Sequence, residues 1–172
     1  MGKPALLALV FIFVLSAPAW GTDYEVAFSP KGTSLELVLS GIKGAQKSIL
    51  LAAYSFTSKP ISEALREAHR RGVEVKVVAD RKGNNSQYTA VTFLANQGVP
   101  VRLNGKYAIL HHKFMVIDGR HVQTGSFNYS AAAANKNAEN VLAIRNAPNL
   151  ARQYAQEWQR LWDEGEEVKP RY

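Results

Sequence analysis

Two apolar runs of strand length bracket one amphipathic helix, and that arrangement constrains the fold of this chain more than any other feature. The run at 48–54 reads as a buried strand. In the helix that follows, Ser58 suits the N-cap and Pro60 sits in the first turn, where a missing N–H costs nothing. Ile61, Ala64, Leu65 and Ala68 recur at helical spacing, and Gly72 supplies the stop. The second run, 73–79, is then a parallel strand reached by a right-handed crossover. Further helices are expected at 35–42, 88–96 and 149–162, and strands at 99–103, 110–117, 121–124 and 141–145. The last helix carries Leu150, Tyr154, Trp158 and Leu161 down one side, a stripe suited to a core. The polar tail from Asp163 to Tyr172 is expected to fray. The predicted class is α/β: a central mixed, largely parallel β-sheet flanked by helices, with the polar loop at 81–87 beyond the end of a strand, where ligands sit in such sheets.

The first residues stand apart. Lys3 is followed by an apolar run at 6–16 and by Ala17-Pro18-Ala19, the pattern of a cleaved export signal. The run is shorter than the ~20 residues needed to span a bilayer. Residues 1–21 are therefore expected to be a signal peptide, cut after Ala19 or Gly21, and 22–172 a single domain with no stable membrane span, periplasmic or secreted from a bacterium. The formal charge of +7 falls only to +6 when Lys3 is removed, a balance that favours polyanionic partners. There is no cysteine, which excludes cysteine catalysis, thiolate zinc sites and iron–sulfur clusters.

Chemistry concentrates at His111-His112-Lys113, Asp118 and Gly125-Ser126-Phe127-Asn128. On a strand, alternate residues share a face, so His111 and Lys113 point one way with α-carbons roughly 6.5–7 Å apart, and His112 points the other. A phosphate fits between side chains so placed: Lys113 supplies positive charge and His111 a nitrogen nucleophile or a proton. Adjacent histidines on opposite faces do not share a metal ion, and Asp80, Asp118 and Glu139 stand singly. Neither a paired-carboxylate magnesium site nor an H-E-x-x-H zinc helix is present. Phosphoryl transfer without metal needs other cations and donors, and Lys113, the Ser126 hydroxyl and the Asn128 amide are suitable.

The spacing His111-x-Lys113-x4-Asp118-x6-Gly125-Ser126-x-Asn128 resembles the HKD motif of the phospholipase D superfamily at every defining position, and the likeness extends from about Tyr24 to Trp162. The relatives it points to are the small, single-motif bacterial endonucleases of the Nuc type. The resemblance implies a phospholipase D-like fold and no metal or other cofactor. It implies that His111 attacks phosphorus to form a phosphohistidine and that Lys113, Ser126 and Asn128 hold the phosphate. Glu139 resembles the acid that orients the nucleophilic histidine. Asp118, the motif aspartate, is assigned a supporting catalytic role, because a carboxylate facing phosphate would repel it.

Larger members of that superfamily carry two HKD motifs; this chain has one. In-line displacement puts nucleophile and leaving group on opposite sides of phosphorus, so one histidine cannot serve both. His69, His112 and His121 lack a lysine two residues on. The expected source of the second histidine is His111 of another copy across a twofold axis, giving a homodimer with one composite site. The expected activity is metal-independent, sequence-nonspecific cutting of single- and double-stranded DNA, with RNA an open substrate. The alternative is a phospholipase D-like lipid phosphodiesterase at a membrane surface, since the motif reads only the phosphodiester.

Overall fold

The computed structural model describes residues 21–84 and 89–171. The export signal expected at 1–21 lies outside the described residues except for Gly21, as do Tyr88 and residues 85–87 of the polar loop. In chain order the elements are β1 (Asp23–Ser29), α1 (Ser34–Gly44), β2 (Ser48–Ala53), α2 (Lys59–Arg70), β3 (Glu74–Asp80), α3 (Ala90–Asn96), β4 (Val101–Asn104), β5 (Lys113–Ile117), β6 (His121–Gly125), α4 (Ala131–Asn135), β7 (Glu139–Arg145), α5 (Pro148–Asp163) and β8 (Glu166–Glu167). The strands form one sheet in the order β1-β7-β6-β5-β2-β3-β4-β8.

The βαβ unit is present: β2 pairs in parallel with β3, and β3 with β4. The sheet is mixed, but the expectation that it is largely parallel is corrected. The β1–β7, β7–β6, β6–β5, β5–β2 and β4–β8 pairs are antiparallel. The reason is local. Parallel neighbours need a long crossover, and the chain supplies helical crossovers only as far as β4. From β5 onward it turns back on itself. Asp118 and Gly119 both hold positive φ, 54° and 64°, and the Arg120 N–H donates to the Ile117 carbonyl at 3.2 Å. Those are the backbone values of a primed hairpin turn.

Strand alternation divides the core. Met115, Ile117 and Ala27 face α1 and α2, whereas Phe114, Val116 and Val122 face α5. The α5 stripe is core, as its spacing predicts: Trp158 and Leu161 are buried, and Leu150 and Tyr154 pack against them. The Trp158 indole N–H donates to the Leu51 carbonyl at 2.9 Å, tying the helix to the middle of the sheet. The tail does not fray as expected at its start. β8 adds to the edge of β4, Arg81 pairs with Glu166 at 2.7 Å, and the Val168 N–H donates to Val101. Among the described residues no helix is long and apolar enough to cross a membrane.

Trp158→Ala removes both the largest buried side chain and a bond to the central strand. It is expected to cost about 3–5 kcal/mol, read as a lower midpoint in urea unfolding.

Candidate active site

The site lies where β2 and β3 end and β5 begins, at the carboxyl edge of the parallel strands. Pairing sets its width. Ala53, the last residue of β2, sits opposite Lys113, and Phe114 opposite Thr124. The β6–β7 register then aligns Gly125 with Val141, which brings Ser126 beside Asn140 and Glu139. Gly125 has φ +147°, and a Cβ there would meet the Asn140 carbonyl oxygen at 2.2 Å. Only glycine lets β6 turn into the Ser126–Asn128 segment this close to β7.

β5 starts at Lys113, three residues later than expected, so His111 and His112 precede the strand. The two nevertheless diverge as alternation predicts. His111 is exposed, with its ring 4.9 Å from that of Tyr54. His112 turns to the α5 side, where Nε2 is 3.3 Å from a Glu157 carboxylate oxygen and its ring meets Phe114 edge-on. Lys113 is 7% exposed, its ammonium donates to the His111 carbonyl at 2.6 Å, and it lies 5.4 Å from the centre of the Tyr54 ring. Burial lowers the Lys113 pKa and the charge of Glu139 opposes that effect, with a net result below the ordinary lysine value. His111, His112 and Lys113 all border a cleft of about 370 Å3 that continues past Phe114, Thr124 and Gly125 to Gln153, Tyr154 and Glu157 of α5.

Ser126 is exposed, and its hydroxyl accepts the backbone and side-chain N–H groups of Asn140 at 3.0 and 3.3 Å. The Oδ1 of Asn128 is buried with no partner. An unpaired buried acceptor costs about 1–3 kcal/mol; a phosphate brings no proton to it, so the Asn128 atom suited to a phosphate is the amide Nδ2 donor. Glu139 accepts from Asn137 Nδ2 at 3.0 Å and makes no hydrogen bond to His111, so its influence here falls on Lys113 instead.

Asp118 is corrected. It lies past the opposite end of β5, about 16 Å from Lys113 at the ordinary strand rise. Its carboxylate accepts the N–H groups of Gln46, Lys47 and Ser48 at 2.7–3.1 Å and clamps the turn between α1 and β2. Its place in the motif reflects the hairpin and this clamp, not contact with phosphate.

Three contributors escaped the sequence reading. Asp80 ends β3 and accepts the Gly83 N–H at 2.7 Å and the Leu110 N–H at 2.8 Å. Asn84 donates to the Tyr54 carbonyl at 2.6 Å and accepts from Phe56 N–H at 3.0 Å. Tyr54 itself touches both His111 and Lys113. The available signal was positional: Tyr54 and Asp80 stand at carboxyl ends of parallel strands. Among the described residues, no three His, Asp or Glu side chains gather closely enough to hold a metal ion.

An eight-stranded mixed sheet that carries a histidine and a buried lysine two residues apart at its carboxyl edge defines a phospholipase D-like domain. The family model described as "Cardiolipin synthase, PLD-like domain" matches residues 38–162, and the chain belongs to this superfamily. It is similar to Nuc from Salmonella typhimurium, a phospholipase D family member of solved structure, with a TM-score of 0.85 and 40% identity over 87% of this chain and 99% of that one. A phospholipase D of Rickettsia bellii is 36% identical over 78% of this chain. A mitochondrial cardiolipin hydrolase of Xenopus laevis is 36% identical over 74% of it. The chain spans 66% and 60% of the lengths of these two relatives.

The Asp118 clamp is testable through acid stability. Burial works to raise its pKa, but the three backbone N–H groups and His121 outweigh that, and the net value is lowered. A depressed carboxylate contributes stability that is present above its unfolded pKa and lost as pH falls through the folded one. Asp118→Ala is expected to lose about 1–3 kcal/mol at neutral pH, to lose less near pH 3, and to keep its activity per folded molecule. Unfolding midpoints at the two pH values check it.

Proposed function

We propose that this chain is a metal-independent endonuclease that hydrolyses DNA phosphodiester bonds through a phosphohistidine, at a site shared by two copies. The observation that carries the reading is an exposed imidazole next to a buried ammonium that makes no ion pair among the described residues. That arrangement offers a nucleophile and an uncommitted positive charge to one phosphate. A His111 ring nitrogen attacks phosphorus, and the bond to the 3′-oxygen breaks. The partner copy's imidazolium gives that oxygen its proton. Water then displaces the histidine from phosphorus, losing a proton to the partner's imidazole, and the product carries a 5′-phosphate. Lys113, Ser126 and Asn128 hold the equatorial oxygens, and Glu139 supports the charge of Lys113. The likeness to Nuc and the positive formal charge favour a nucleic-acid substrate, with poor sequence selectivity and strong salt dependence. Export to a periplasm or medium, directed by residues 1–21, keeps such an activity from the host's own DNA.

A bare apolar surface favours the dimer. Tyr24, Val26 and Phe28 are 73, 48 and 63% exposed on one face of β1, because α5 packs over β2 to β6 and stops short of this edge. The strand ends beside the site, since its last residue, Ser29, pairs with Glu139. A second reading, a lipid phosphodiesterase, is favoured by the names of the relatives and by Ile109, which is 49% exposed two residues before His111.

Plasmid nicking by the chain in excess EDTA, beside His111→Asn, tests the activity. Cutting that persists in EDTA and vanishes in the variant is expected. Loss of cutting in EDTA breaks the mechanism, and cleavage of phosphatidylcholine vesicles without any cutting of DNA replaces it with the lipid reading. Mixed dimers of wild type and His111→Ala are expected to be inactive; full activity in them rules out a shared site.

A further inference from the structure

We infer that Tyr54 is a positioning residue for the site, its ring acting as the surface that keeps the Lys113 ammonium charged and the His111 imidazole aligned. The ring is itself fixed from behind. The Tyr54 carbonyl is held by Asn84, and the next backbone N–H but one, that of Phe56, is held by the same side chain. Gly83 packs so closely that a Cβ there would stand 2.9 Å from the Tyr54 carbonyl oxygen and 3.3 Å from its ring. Gly83 thus backs the ring on one side, and on the other the ring meets His111 at 4.9 Å and Lys113 Nζ at 5.4 Å.

What surrounds Lys113 explains why a ring is needed. From β2 the opposing residue is Ala53, and from β6 it is Gly125, neither of which can carry charge. Among the described residues, Glu139 on β7 is the one charged group that acts on it, and His111 is the titratable group beside it. A carboxylate in direct contact would hold the ammonium but compete with phosphate for it. An aromatic face stabilises a cation while leaving its N–H donors free to turn toward an anion. The tilted contact with His111 at the same time limits rotation of the imidazole, which must present one nitrogen to phosphorus. Tyrosine serves through its face, so the hydroxyl is dispensable.

Two readouts test this, and only the kinetic one rests on the phosphodiesterase reading. The first is the side-chain titration midpoint of Lys113, followed by NMR on 13C-lysine-labelled protein without substrate. A cation–π contact favours the charged form, so in Tyr54→Leu the midpoint is expected to fall by about half a pH unit or more, and in Tyr54→Phe to stay at the wild-type value. The second is turnover of bis(p-nitrophenyl) phosphate, a generic phosphodiester. Here kcat is expected to fall on the order of tenfold in Tyr54→Leu, with the alkaline limb of the pH profile moved to lower pH, and Tyr54→Phe is expected to restore both. Tyr54→Met, unbranched and flexible, replaces the leucine variant if that one does not fold. An unmoved Lys113 midpoint in the folded Leu or Met variant overturns the inference. So does a Phe variant as impaired as Leu, because the hydroxyl would then be the acting group. Wild-type protein that cleaves no phosphodiester overturns the proposed function instead, and the titration still decides the role of Tyr54.

Discussion

The carboxylate of Asp80 is the joint on which the rim of the cleft depends. It is 2% exposed at the end of β3, and its two oxygens accept from two different loops, at Gly83 and at Leu110. One bond fixes the turn that backs Tyr54; the other fixes the segment that delivers His111 and Lys113. Asn84 extends the same joint by donating to the carbonyls of Asp80 and Tyr54. A buried carboxylate is expensive unless each oxygen is hydrogen-bonded, and here each one is. The sheet thereby dictates the position of the loops at its carboxyl edge.

Against that fixed frame, Lys113 is the strained element. Its charge is mostly removed from water, yet its single hydrogen bond goes to a neutral carbonyl and its one acidic neighbour acts without a direct contact. Such a cation is under-compensated by the protein alone and suited to an anion. Asn128 also carries a buried oxygen without a donor, a lack that an anion does not fill. Stability given up at Lys113 becomes a binding preference for an anion.

Much of this was legible in the sequence. The βαβ core follows from apolar runs and the Ser58, Pro60 and Gly72 signals, and the pairing of His111 with Lys113 follows from a spacing of two. Asp118-Gly119 was equally plain as a hairpin signal, and reading it would have given the antiparallel half of the sheet and put Asp118 at the far end of β5 from the site. Other features had no local signature. β8 is two glutamates long. β1 alternates with its large apolar residues turned outward, so burial cannot be inferred from its pattern. Tyr54 and Asp80 reach the site from strands far from the motif in sequence, and only the strand order brings them there. Glu139 was found by position, but what it acts on depends on side-chain geometry that spacing does not encode.

The pairing of β1 with β7 has a cost in time. Glu25 and Arg145 meet although 120 residues separate them, so the first strand made must wait for nearly the last before it has a neighbour. Loop-closure entropy makes such a contact late in folding. Until then the nascent chain holds out an unpaired edge bearing Tyr24, Val26 and Phe28, the kind of segment that chaperones bind and that seeds aggregation when left alone. The surface suited to joining two finished copies is thus also the place where two unfinished ones are most at risk of sticking.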